Sequence, residues 1–194
     1  MKINNIYTVQ FRRKREGATN YRKRLKLVVS NKPRMVARKS LANIQAAIIE
    51  YHGRGDITKA AAHSSQLKKF GWQYGTGNLP AAYLVGFLLG KRAKNAKMNE
   101  AILDIGLNKS VKGSRIYALL AGALDAGLSI PHSKEVLPGK DRISGKHIAE
   151  YAGKLKADKE SYKKQFEAYI KNNIEPTNIV KNFEETKKII ETKV

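Results

Sequence analysis

The spacing of apolar positions changes several times along the chain, and each change marks an element. Residues 1–18 have no convincing period and read as an extended basic arm. Tyr21, Leu25 and Val28 then fall at i, i+4 and i+7, the core-facing stripe of a short helix that Thr19 would cap. Asn31-Lys32-Pro33 is a turn. Three short β-prone runs follow: Arg34–Ser40, roughly Ile44–Tyr51, and Ile57–His63. Gly53-Arg54-Gly55-Asp56 makes a tight connection between the last two, as in a meander. Ser64 to Gly77 carries Trp72, Tyr74 and three glycines and reads as a long loop, a kind of segment that often carries function.

Asn78 is placed to cap a helix from Leu79 to about Lys97, whose first three turns are apolar nearly all round and so predict burial. Ala101-Ile102-Leu103-Asp104-Ile105 is an almost continuous apolar strand, the pattern of a sheet interior with both faces covered. Ser114 would cap the next helix, with Ile116, Leu119, Leu120, Ala123 and Leu124 as its stripe and Gly127 at its end. Ile130 to Gly145 is a loop with two prolines. Ile148, Tyr151, Ala152 and Leu155 mark an amphipathic helix; Tyr162, Phe166, Tyr169 and Ile170 mark another. Ile179, Phe183 and Ile190, after Pro176, mark a last one. The order β-β-β-α-β-α predicts an α/β (α+β) fold: an antiparallel meander, a parallel crossover, and helices packed on a mixed sheet. The expected divisions are a basic arm with its short helix (1–30), an α/β core (31–128), and a loop with a helical extension (129–194).

Composition adds a partner to this outline. The 194 residues are 42% hydrophobic, enough for one domain with a real core. The formal net charge is +22, and the sequence pI of about 10.1 lies above the rough value of 9 that flags nucleic-acid binders. Such an excess repels itself unless a polyanion neutralises it. It is also uneven. Residues 1–40 hold thirteen Lys and Arg against Glu16 alone, whereas residues 158–194 hold eight lysines and seven acids. The first part is built for an anionic partner. The last part is not, so truncation after about Lys156 is expected to leave RNA binding largely in place. There is no cysteine, which removes disulfides, thiolate zinc sites and cysteine nucleophiles. The first residues lack the apolar core of a signal peptide, and the longest apolar run, Leu79 to Gly90, is well short of the roughly 18 residues of a membrane span.

The N-terminal cations, Arg12, Arg13, Lys14 and Arg15 and then Arg22, Lys23, Arg24 and Lys26, alternate with Tyr7, Phe11 and Tyr21. Arginine offers phosphate a bidentate fork, and aromatic or guanidinium planes stack on unpaired bases. The plain reading of Tyr21 is a core-facing helix position, which still leaves its basic neighbours on the other faces. A nuclear-localisation signal would account for Arg12–Arg15 but not for the whole excess. Arg34, Arg38 and Lys39 extend the basic set onto the first strand. Gly75-Thr76-Gly77-Asn78 matches neither phosphate-binding fingerprint and reads as a helix start. Lys112-Gly113-Ser114-Arg115 reads the same way, with Lys112 and Arg115 as further phosphate candidates.

Catalysis finds little support. A mixed sheet of this order is similar to the ribonuclease H-like fold, whose nucleases hold two metals on carboxylates at the sheet centre. The first strand here has no acid, and Asp104 has no evident second acid to share a metal; its plain reading is a locally paired carboxylate. His52, His63, His132 and His147 are not at metal-ligand spacing. No metal, cofactor or catalytic residue is expected.

Blocks of the chain resemble a known family. They begin with Phe11-Arg12-Arg13-Lys14-Arg15-Glu16-Gly17, Thr19-Asn20-Tyr21-Arg22-Lys23-Arg24-Leu25 and Lys32-Pro33-Arg34-Met35-Val36-Ala37-Arg38-Lys39-Ser40. Ala62-His63-Ser64-Ser65, Gly75 to Leu84, Leu103 to Leu107 and Lys112 to Arg115 continue the series. Ala126-Gly127-Leu128, Ile130 to Ser133 and Gly145 to Ala149 complete it. In this order they resemble an archaeal large-subunit ribosomal protein, family eighteen in the bacterial series, with a eukaryotic counterpart numbered five. The resemblance covers about residues 7–152. It implies the ribonuclease H-like variant of translational-machinery proteins, and binding of 5S ribosomal RNA at the central protuberance by the basic arm. Large-subunit (23S-type) RNA and other ribosomal proteins would be its neighbours in the cytoplasm, with no membrane partner.

Overall fold

The structure, a computed structural model, describes residues 8–194; Lys2 and Tyr7 of the basic arm lie outside the described residues. The arm contains one helical turn, α1 (Arg12–Arg15), where no period predicts it. The Phe11 carbonyl accepts from the amides of Lys14 and Arg15 and closes that turn. In α2 (Tyr21–Val29) the cap is Asn20, not Thr19: its side chain accepts from the Lys23 amide at 3.1 Å. The expected stripe also shifts. Leu25 is 64% exposed, and the inward positions are Tyr21, Arg24, Leu27 and Val28, all only half-buried. This helix faces a polar sheet surface, so an arginine takes an inward position that an apolar core would give to leucine.

The sheet follows the predicted order. β1 (Arg34–Lys39), β2 (Ile44–His52) and β3 (Gly55–His63) form the antiparallel meander, and β4 (Ile102–Asp104) pairs parallel with β1, giving the spatial order β3-β2-β1-β4. Strand alternation divides the side chains between two faces. Met35, Ala37, Ile44, Ala46, Ile48, Ala60 and Ala62 are buried on one face. Arg34, Val36 and Arg38 of β1 lie on the other.

β4 is not the sheet-interior strand its apolar run suggests. It is a three-residue edge strand with Ile102 and Leu103 half-buried. Just before it, the Ala101 amide donates to the Ser129 carbonyl and the Ser129 amide to the Asn99 carbonyl, so the segment after the second core helix lies along residues 99–101.

The predicted loop Ser64–Gly77 begins with a 3-10 helix (Ser64–Phe70), and Leu67, Trp72 and Tyr74 are buried within it. These side chains make the segment part of the core. α3 (Leu79–Asn95), capped by Asn78, is buried along most of its length. α4 (Arg115–Asp125) is buried continuously from Ile116 to Ala123. Ser114 stands at its expected cap position, but its hydroxyl is buried without a hydrogen-bond partner among the described residues.

The predicted loop Ile130–Gly145 contains a 3-10 turn (Lys134–Val136) and a short helix, α5 (Lys140–Ser144). α6 (Lys146–Leu155), α7 (Lys159–Lys171) and α8 (Ile179–Lys193) realise the three C-terminal stripes. α8 is a wall of the main core. Ile179, Phe183 and Ile190 are buried in it, and Lys187 reaches the Tyr83 hydroxyl at 2.8 Å. Tyr83 also donates to Asp125, and burial first, then this carboxylate, pushes its phenol well above the usual range. Truncation after Lys156 therefore strips the core, because balanced surface charge says nothing about what the opposite helix face buries.

α3 and α4 touch backbone to backbone. A methyl group at Gly86 would overlap the Leu119 carbonyl, and one at Gly122 would overlap the Tyr83 carbonyl. Replacing either glycine with alanine forces two helices apart inside a close-packed core. Gly86→Ala should cost at least about 3 kcal/mol of unfolding free energy. Gly153→Ala in α6, where nothing lies within 4 Å, should be neutral or stabilising by up to about 1 kcal/mol. Urea denaturation followed by circular dichroism measures both.

Candidate nucleic-acid interface

The sheet face opposite α3 and α4 is covered only in part. Between it, α2 and the loop after β4 lies an open cleft of about 730 Å³. Arg13, Lys23, Arg24 and Lys26 line one wall, Arg34, Val36, Arg38 and Ile49 the floor, and Leu103 to Asn108 the other wall. Two carboxylates, Asp56 and Asp104, also face it.

Those two acids explain why the floor is arginine. Arg34 is 3% exposed, and its guanidinium donates to Asp104 at 3.1 Å and to Asp56 at 2.9 Å. Arg24 reaches from α2 to the same Asp56 oxygen at 2.9 Å. Arg38 donates to the Asp104 backbone carbonyl at 2.9 Å and lies 3.4 Å from its carboxylate, which also accepts from the Gly106 amide at 2.8 Å. A Cβ at Gly106, whose φ is +60°, would meet the Arg38 guanidinium at 2.8 Å, so glycine is needed for this close approach. Five alternating charges thus join α2, the start of β3, β1 and β4. Asp56, read from the sequence only as a turn residue, is the member that sequence reasoning missed; its strand neighbours give no local signal, because the pairing spans 22 residues to Arg34. The local part of the plain reading of Asp104 is met by the Gly106 amide, but its charge is paired over long range, with Arg34 and Arg38. Among the described residues no group of three or more His, Asp or Glu is arranged to hold a metal.

The predicted RNA-binding residues divide into three sets. Lys14, Arg15, Arg22, Lys23, Lys26 and Lys39 are exposed and pair with no acid among the described residues. Arg12 and Arg13 are exposed with weak local contacts, a 3.6 Å pairing with Glu16 and a 2.8 Å hydrogen bond to the Thr19 hydroxyl. Lys112 is likewise exposed, beside Glu135. Exposed pairs of this kind contribute little and exchange readily for phosphate.

Arg24, Arg34, Arg38 and Arg115 belong to the fold. Arg115 donates to the backbone carbonyls of Gly77 and Ser40, tying the start of α4 to the start of α3 and the β1–β2 turn. Tyr21 is half-buried, its ring 5.4 Å from that of Phe11.

Of the exposed cations, Arg13, Lys23 and Lys26 line the cleft itself, and Arg12, Lys14, Arg15 and Arg22 are their neighbours along α1 and α2. The family described as ribosomal large-subunit proteins 60S L5 and 50S L18 matches the chain over residues 5–101 and 93–133. The chain belongs to this family. It is a protein of the large ribosomal subunit, it works in translation, and its basic surface belongs to an RNA-binding protein of the cytoplasmic ribosome. The match takes in α1, α2, the whole sheet, α3 and α4, and so both walls and the floor of the cleft; α5 to α8 follow its last residue. Among the described residues no helix is long and apolar enough to cross a membrane.

In this L5/L18-family protein the Arg34 network should be tested through its centre. Arg34→Met keeps the length of the side chain but leaves Asp56 and Asp104 facing each other without their shared cation. The expected loss is about 3–5 kcal/mol, because removing one partner strands buried charge. Adding Asp104→Asn should recover part of it. Denaturant unfolding of the single and double variants measures the difference.

Proposed function

We propose that this chain binds 5S ribosomal RNA and holds it against large-subunit RNA at the central protuberance. We propose also that it does so as a structural part, without catalysis. The reading rests on one observation above others: the cations of α1 and, in α2, Arg22, Lys23 and Lys26 are exposed and unpaired or weakly paired among the described residues, while the carboxylates of the cleft are already taken by Arg24, Arg34 and Arg38. A phosphate chain approaching the rim meets Arg12, Arg13, Lys14, Arg15, Arg22, Lys23 and Lys26 with no competing acid except Glu16. The 5S identity comes from the family resemblance of residues 11–40 and the blocks that follow. Arg24, Arg34, Arg38 and Arg115 act in this reading as positioning residues: they fix α2 and the cleft floor against which the RNA lies.

The same division of charge argues against a nuclease. Metal-assisted hydrolysis needs carboxylates free to ligate. Here Asp104 and Asp56 are held by the buried Arg34 guanidinium together with Arg38 and Arg24.

The RNA that co-purifies with the native protein should be enriched in 5S RNA when sequenced; recovery of random RNA without preference would overturn the assignment. The electrostatic part is measurable separately. Each phosphate neutralised adds roughly 0.7 to 0.9 to the slope of log K against log salt. Replacing Arg12, Arg13, Lys14 and Arg15 with Gln should flatten that slope by about three units for 5S RNA. The fold should survive, since none of the four is buried. Lys39 and the α2 cations should sustain a weaker residual interaction. An unchanged slope with unchanged circular dichroism would remove α1 from the interface.

A further inference from the structure

Phe11 is 73% exposed, stands immediately before the basic run Arg12–Arg15, and is not used by the core. Its position is nevertheless fixed. The Phe11 carbonyl is held by the amides of Lys14 and Arg15. The turn is closed onto α2 by the amides of Ala18 and Thr19 donating to the Arg13 carbonyl, and by the Arg13 side chain on the Thr19 hydroxyl. The ring itself leans on Tyr21, with centroids 5.4 Å apart and planes 33° apart, and Tyr21 is half-buried on the sheet side of α2. The exposure leaves most of the Phe11 ring open to solvent, and the four cations Arg12, Arg13, Lys14 and Arg15 follow it directly in the chain.

From this we infer that Phe11, backed by Tyr21, is a stacking platform for an unpaired base, so that the interface selects RNA with a single-stranded loop or bulge over continuous duplex. The inference rests on the RNA-binding reading given above and names which part of the RNA it takes. Charge decides the occupant. An apolar pocket on another protein would have to bring acids to satisfy four successive cations, whereas a nucleotide brings a π-face and a phosphate together. A paired stem offers phosphates but no free base face, so it can use the cations and not the ring. The rigid backing matters because a ring already held in place loses little freedom when a base settles on it.

The test compares two RNAs of equal length and phosphate number, a stem-loop with unpaired purines and a blunt duplex. Each is titrated with the full-length protein and with Phe11→Leu and Phe11→Trp. Leucine keeps the apolar bulk and removes the π-face; tryptophan keeps both. The wild-type protein should prefer the stem-loop. Phe11→Leu should lose roughly 5- to 150-fold on the stem-loop, the range for one base–aromatic stack, with no change on duplex and no change in salt slope. Phe11→Trp should retain the preference. A Phe11→Leu protein that binds the stem-loop as wild type does, or that weakens equally on both RNAs, overturns the platform alone. Wild-type protein that binds neither RNA overturns the interface reading and the platform with it.

Discussion

The contact on which the rest of the molecule depends is the crossing of α3 and α4 at Gly86 and Gly122. With backbone meeting backbone there, the two helices lie as one thin layer, α3 over β2 and β3 and α4 over β1. Only then is α3 close enough to five neighbours (the sheet, the 3-10 helix Ser64–Phe70, α4, α5 and α8) to justify an apolar surface on every side. The position of α4 also fixes the loop that leads into it from β4, and residues 105–108 of that loop are a wall of the cleft. A close approach on one side of the sheet therefore sets the geometry of the basic surface on the other.

On that second side the organising element is a buried cation. Arg34 of β1 sits where β3 and β4 each deliver a carboxylate, and its charge is spent inside the protein. The consequence is a separation of duties among residues of the same type. Arginines within one basic segment differ completely in what they offer an anion: Arg22 is exposed and unpaired among the described residues, whereas Arg24, two positions on, is bound to Asp56. Formal charge counts both alike. Only the fold distinguishes them.

How much of this was legible in the sequence follows from the range of each interaction. The strands, α3, α4 and the C-terminal helices are written in local periodicity, and the caps at Asn78 and Gly127 are local too, so their order and approximate bounds could be read directly. Leu25 was misassigned because its spacing is helical but the surface its helix faces is polar, and that surface is built from β1, β3 and β4. β4 departs from the expectation because apolar residues of its run, such as Leu103 and Ile105, pack on the core from a sheet edge, and an apolar run does not say whether the strand is central. Lysines and arginines of the arm could be recognised as a group from the absence of acids around them. The pairing of Arg34 with Asp56 and Asp104 could not, since no pattern within a window of sequence connects residues up to 70 positions apart.

The place of α8 has a consequence in time as well as in space. Lys187 meets Tyr83 across 104 residues of chain, and Phe183 and Ile190 cover the same helix. During synthesis, at roughly 5–20 residues per second, α3 waits about 5–20 s for its last covering wall to be made. Over that interval the nascent chain carries an uncovered apolar helix behind a strongly cationic segment. The basic segment is thus produced well before the helix that covers α3, and until α8 is made the chain shows apolar surface of the kind that drives aggregation.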